Sequence, residues 1–175
     1  MLLVHNQNLA YIKRSLRPKY ANTQGTPKQV FLDPAWTGVD LYPGMAMVKQ
    51  AGQQVTLAAS ATDRVYGLCN FYEAPVLGIK EITEQGINST SVWVLGPDAE
   101  FEVDSPAFDA SLTWTDPGAT GQPTLVTAYT SAGGAKQGQL APAGTANTLT
   151  LPFARLLEVK SPTTIVIGGL NGTQG

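Results

Sequence analysis

Cysteine and histidine are nearly missing from this chain of 175 residues: Cys69 and His5 are the only ones. A single cysteine excludes an intrachain disulfide framework and a cysteine-based zinc site. Any Ser-His-Asp or Cys-His arrangement would have to use His5. That residue lies in a terminal segment, where the rigid placement that catalytic groups require is not expected. Cys69 sits inside an apolar run and reads as a small core hydrophobe. Charge is also scarce, at 14% of residues against about a quarter in ordinary domains. No apolar run approaches the ~20 residues of a membrane-spanning helix. Gly133-Gly134 is not followed by the Gly-Lys-Ser/Thr of a phosphate-binding loop. In the opening MLLVHNQNLAYIKR the bases follow the apolar residues, the reverse of a secretory signal. Asn88-Ser89-Thr90 and Asn171-Gly172-Thr173, which match the glycosylation acceptor pattern, are therefore read as chance. These shortages argue against an enzyme and a membrane protein, and no cofactor or metal is expected.

What the chain does have is strand pattern, most densely from Leu41 to Phe108, where four strands of one compact barrel are expected. Ala99, Phe101 and Val103 alternate with Asp98, Glu100, Glu102 and Asp104, which puts the apolar residues on one face and the acids on the other. A helix, with about 3.6 residues per turn, would scatter both sets. Pro106 limits this strand. Val92 to Leu95 is apolar and β-rich. Val65 to Phe71 reads as a strand in which Gly67 marks a bulge or bend. Pro43-Gly44 introduces Met45 to Val48, and Ala51-Gly52 turns the chain into Gln53 to Leu57. Ser111 to Thr115 and Leu125 to Tyr129 are further candidates, and Leu156–Val159 with Thr164–Ile167 predicts a closing hairpin. Short strands with turns close between them predict an all-β fold, a small β-barrel or β-tulip. Residues 73–90 carry a short helix by this reading.

The charge is divided unevenly. Residues 1–32 hold Lys13, Arg14, Arg17, Lys19 and Lys28 and no acid, whereas the rest holds 13 acids against six bases. The expected organisation is an extended basic N-terminal arm over 1–35, a barrel domain over 36–168 and a short tail over 169–175. The barrel domain carries a Gly/Ala/Thr-rich loop insertion at 116–148. Leu9, Tyr11, Ile12, Lys13, Arg14, Leu16, Arg17 and Tyr20 are the expected partner-binding residues of the arm. Apolar side chains among them have no use in a solvated tail. Asp98, Glu100, Glu102 and Asp104 read first as a solvated strand face, second as an intersubunit contact with a basic arm, and third as a metal site. Trp36 reads as a core anchor ahead of an interface anchor. Tyr11 and Tyr20 among the bases would suit stacking on single-stranded nucleic acid, but the acidic body disfavours that partner.

The run PGMAMV entering a strand, GQQVTLAASATDRVYGLC, the pair VWVLGPDAEFEV and the terminal hairpin together resemble the head decoration, or capsid cement, proteins of tailed phages. That resemblance implies a catalytically inert β-barrel or β-tulip on the outer surface of a virion. It would stabilise the capsid by clipping neighbouring major capsid subunits together, sit as a trimer with other copies of itself, and reach neighbours through extended termini. The runner-up is a carbohydrate- or receptor-binding module of a virion, with Trp36, Trp93 and Trp114 as a sugar platform. Exposed, coplanar tryptophans would support it.

Overall fold

The computed structural model describes residues 16–19, 25–33, 36, 39–70, 89–121 and 123–170. The strands are β1 (Leu16–Pro18), β2 (Gly25–Leu32), β3 (Ala46–Lys49), β4 (Gln54–Thr56), β5 (Val65–Cys69), β6 (Ser89–Leu95) and β7 (Glu100–Asp104). They continue with β8 (Leu125–Ala128), β9 (Leu140–Pro142), β10 (Ala154–Ser161) and β11 (Thr164–Gly169). The fold is nearly all β, as the alternation predicts. It is built as two layers. A closed barrel runs in the order β2-β4-β3-β5-β6, and a six-stranded sheet runs β1-β7-β11-β10-β8-β9.

Three of the barrel strands, β3, β5 and β6, are apolar on both faces, and this joins the layers. Met47, Cys69 and Val92 point into the barrel with Val30, Leu32, Trp36, Leu41, Val55 and Leu57. Their neighbours Ala46, Val48, Leu68 and Leu95 point the other way, into the larger core that also holds Phe101, Val103, Phe108, Leu140, Leu156, Ile165 and Ile167. Successive side chains of a strand alternate faces. An unbroken apolar run such as Val92-Trp93-Val94-Leu95 is therefore the signature of a strand covered on both sides.

Gly67 holds the seam between β3 and β5, where the register slips between Met47 and Val48. A Cβ on Gly67 would stand 2.5 Å from the Trp93 carbonyl oxygen on β6, so the barrel closes at that point only around a glycine. Gly52, in the turn between β3 and β4, has φ of 71°, a left-handed conformation that glycine adopts without cost.

Four expectations need correction. The stretch from Leu41 to Phe108 is not one barrel: Gly96-Pro97-Asp98 carries the chain out of it, and β7 joins β11 and β10 in the sheet. The arm does not extend to residue 35, because residues 25–32 are a barrel strand paired with β6 over seven residue positions. That strand is hidden in the sequence by its polar first half and by Pro27. Only Phe31 and Leu32 pair with β4, so Pro27 lies on a stretch with no second partner strand among the described residues, where proline is tolerated. Ser111 to Thr115 forms a turn and an irregular segment rather than a strand. Finally, the 116–148 region is not merely inserted loop, since β8 and β9 within it extend the sheet. The short helix expected over 73–90 lies outside the described residues, save for the last positions, which begin β6. A short helix does occur at Pro117–Thr120, capped by Asp116.

Gly67→Ala is expected to destabilise the fold by about 2 kcal/mol or more, because the clash is with backbone and not with a yielding side chain. Gly52→Ala meets no atom within 4 Å and should cost only about 1 kcal/mol, through backbone conformation alone. Thermal unfolding followed by circular dichroism checks the order of the two.

Candidate functional site

Glu100, Glu102 and Asp104 share the outward face of β7, and basic side chains of the same chain lie over them. β1 pairs antiparallel with β7, with Leu16 opposite Val103, Arg17 opposite Glu102 and Pro18 opposite Phe101. Antiparallel pairing with alternation sends Leu16 inward, to 8% exposure, and Arg17 outward over the acids. The Arg17 guanidinium spans two carboxylates, 3.2 Å from Glu102 and 2.5 Å from Asp104. Lys19 lies 3.8 Å from Glu100 and 3.3 Å from Glu158 on β10. Lys160, also on β10, pairs with Glu102 across the intervening β11. Val166 of β11 stands in register between Glu102 and Glu158 and is fully buried among these crossing side chains. Two bulges in β10, at Leu157 and Lys160, let Leu157, Glu158 and Lys160 all reach this face.

The electrostatics follow from that geometry. A hydrogen bond from Lys160, joined by Arg17, keeps the Glu102 carboxyl below the usual range despite its partial burial. Burial alone would raise Asp104, but Arg17 and the Thr164 hydroxyl outweigh it and the net shift is downward. The Asp104 hydrogen bond leads the causes that raise Arg17. The face is thus a lattice of paired charges rather than an acidic surface.

Not every expected residue takes part. Glu100, Glu102 and Asp104 are in the lattice, whereas Asp98 is exposed in the turn before β7. Leu16 belongs to the core and Arg17 to the lattice. Leu9, Tyr11, Ile12, Lys13, Arg14 and Tyr20 lie outside the described residues, as does His5. Among the described residues no group of three or more His, Cys, Asp or Glu side chains is placed to hold a metal. No helix among them is long and apolar enough to cross a membrane. Cys69 is fully buried in the barrel.

The tryptophans do not form a platform. Trp36 is buried inside the barrel. Trp93 packs edge-on to Phe101, with centroids 5.3 Å apart, and donates its indole N–H to Asn70 Oδ1 at 2.9 Å. Trp114 packs edge-on to Phe108 and donates to the Asp109 carbonyl at 2.9 Å. Exposed and coplanar rings, which a sugar platform needs, are not what these three residues provide.

One cluster has no counterpart in the sequence reading. Asp109 is buried and accepts from the Ser111 backbone N–H at 3.0 Å, the Ser111 hydroxyl at 2.6 Å, the Tyr129 hydroxyl at 2.9 Å and Lys136 Nζ at 2.7 Å. Burial pushes its pKa up, but the donors from Lys136, Ser111 and Tyr129 prevail and hold it at about 2. Burial and the neighbouring carboxylate push Tyr129 up to about 12. The lysine comes from the Gly-rich turn Ser131–Lys136, 27 residues away in sequence, and no local pattern connects the two. The cluster ties that turn to the segment after β7. It is a fastening between two loop segments.

The described residues thus form a small β-barrel joined to a six-stranded sheet, whose outer face carries a lattice of paired charges. A family model described as phage cement protein matches residues 1–173. The chain belongs to the phage cement protein family, a family of structural virion components that associate with the phage capsid. No curated protein and no solved structure matches it.

Leu16→Ala is expected to cost about 2 kcal/mol or more by removing buried apolar volume. Arg17→Ala should cost about 1 kcal/mol, since partly exposed ion pairs contribute little each, and its loss should shrink at high salt. Urea unfolding at low and high salt distinguishes the two. For Asp109 the folded-state pKa lies below the unfolded one. Its contribution is therefore present above about pH 4 and is lost as pH falls toward about 2. A shift of this size corresponds to about 2 kcal/mol. Asp109→Asn should lower stability at neutral pH by a comparable amount and show a flatter decline in acid than the parent, measured by unfolding at stepped pH.

Proposed function

We propose that this cement protein sits on the outer surface of the capsid and clips neighbouring major capsid subunits together. Its basic N-terminal segment is the clamp, and copies of the chain gather as trimers on the particle. The observation that carries this reading is the division of labour within the basic segment. Leu16 and Arg17 are used to fasten β1 to the body, while Leu9, Tyr11, Ile12, Lys13 and Arg14 precede that fastening and supply both apolar area and positive charge. A segment anchored at one end to a folded sheet and rich in contact side chains suits a clamp that spreads over a neighbour. A stable contact of this kind buries on the order of 1,200 to 2,000 Å² in total, and several copies acting together add avidity.

Removal of residues 1–15 should leave the fold intact and weaken attachment to particles about tenfold or more. Removal of residues 1–32 takes β1 and the barrel strand β2 as well, and should abolish folding. Co-sedimentation with particles stripped of cement protein, with circular dichroism as the folding control, checks both. A folded 1–15 deletion that binds as tightly as the full chain would sink the clamp. Particle reconstructions in which copies never touch one another would rule out the trimer.

A further inference from the structure

The described residues hold eight lysines and arginines, and half of them are tied into ion pairs: Arg17, Lys19, Lys136 and Lys160. Lys28, Lys49, Arg64 and Arg155 have no carboxylate partner among the described residues. Two of these four approach one aromatic ring, and a third, Arg64, lines a recess that the same ring borders. Lys28 Nζ lies 6.0 Å and Lys49 Nζ 5.4 Å from the centroid of Tyr66. Lys28 lies two residues before the inward-facing Val30 on β2, and Lys49 two after the inward-facing Met47 on β3, while Tyr66 packs against the barrel core. By the alternation of strands these side chains rim one mouth of the barrel. The mouth is a recess of about 250 Å³ between Lys28, Lys49, Gln53 and Tyr66. A second recess, of about 360 Å³, shares Lys49 and Tyr66 and adds Arg64. The acid in its lining, Asp63, spends a carboxylate oxygen on the backbone N–H groups of Ala59 and Ser60, at 2.8 and 2.9 Å.

We propose that this barrel mouth is a docking cradle for an aspartate- or glutamate-bearing loop of a capsid-surface protein, a second contact apart from the N-terminal clamp. The proposal rests on the cement reading for its partner, but not for its chemistry. Two ammonium groups over one ring repel each other, and a carboxylate set between them relieves that repulsion and gains two charge-assisted hydrogen bonds. Concave barrel mouths with a few convergent polar groups are common binding sites. Nucleic acid fits less well. The two lysines occupy the neighbourhood of the ring that a base would need for stacking. Three cations are too few for the six or more phosphate contacts of a backbone-tracking surface. The chain as a whole is acidic, with a pI near 5.3, which repels a polyanion while leaving this patch as a local exception. On the sheet face Arg17, Lys19 and Lys160 are held by carboxylates; here the fold sets exposed cations beside open space.

The test uses the full chain and the triple variant Lys28→Gln, Lys49→Gln, Arg64→Gln. All three side chains are exposed, so the variant should fold, and circular dichroism verifies it. An oligoglutamate peptide titrated into the parent should shift the amide NMR signals of Lys28, Lys49 and Tyr66 saturably, and should not shift them in the variant. A short oligothymidylate should bind at least tenfold more weakly than the peptide. Co-sedimentation with stripped particles should weaken about tenfold in the variant, the loss expected from three modest charge contacts. Absence of any saturable shift at millimolar peptide overturns the cradle, and so does tighter binding of the oligothymidylate, which would make it a phosphate site. If the parent binds particles and the variant binds them equally well, the cradle is wrong and the cement reading stands. If the parent itself fails to bind particles, the cement reading fails, and the peptide titration still decides whether the cradle takes carboxylates.

Discussion

The structure depends on strands that are covered on both faces. β3, β5 and β6 each give alternate side chains to two separate cores: Met47, Cys69 and Val92 fill the barrel, while Ala46, Leu68 and Leu95 fill the space beneath the sheet. A five-stranded barrel alone has a small interior, and a six-stranded sheet alone would leave one apolar face wet. Each layer covers what the other leaves open. Fully burying a large apolar side chain contributes roughly 1.5 to 3 kcal/mol, so the shared strands hold far more stability than the ion pairs on the outer face. Close approach is the condition for this arrangement, and Gly67 stands directly against the Trp93 carbonyl where β5 meets β6.

The polar features are placed around that frame. The lattice of Arg17, Lys19, Lys160 and the acids of β7 and β10 lies on the face of the sheet turned away from the barrel, where Val166 would otherwise be exposed. The Asp109 cluster fastens the segment after β7, with Lys136 brought in by a Gly-rich turn. Asp116 does similar work with a single side chain, accepting from Gly118 N–H at 2.8 Å and from Val159 N–H at 3.0 Å and so tying a short helix to β10.

Strand alternation makes β3 to β7 and the β10–β11 hairpin legible in the sequence, because burial on one face or both leaves a period-2 or continuous apolar trace. The same rule does not say which strands close on one another. Whether β7 follows β6 into the barrel or leaves it depends on a turn at Gly96-Pro97-Asp98, and turns of that composition serve either path. β2 is not legible because its exposed half carries Thr26, Pro27, Lys28 and Gln29, which resemble a loop. Alternation puts Glu100, Glu102 and Asp104 on one face, and the basic segment is the natural counterpart to look for. That the two meet within one chain follows from a pairing between β1 and β7 some 85 residues apart, which no local pattern encodes. Asp109 and Lys136 meet the same obstacle.

The attachment of β1 has a mechanical side. It is a strand of three residues at the rim of the sheet, held by its ladder to β7, by Leu16 in the core and by the forked grip of Arg17 on two carboxylates. Tension applied to the chain ahead of Leu16 enters the body through that short splice and passes along β7 into β11 and β10, the centre of the sheet. Pulled along its own axis, such a splice must slide all its links at once; peeled sideways, it opens one link at a time at much lower force. The direction of a pull on the chain ahead of Leu16 would therefore decide whether the joint behaves as a rivet or as a zip.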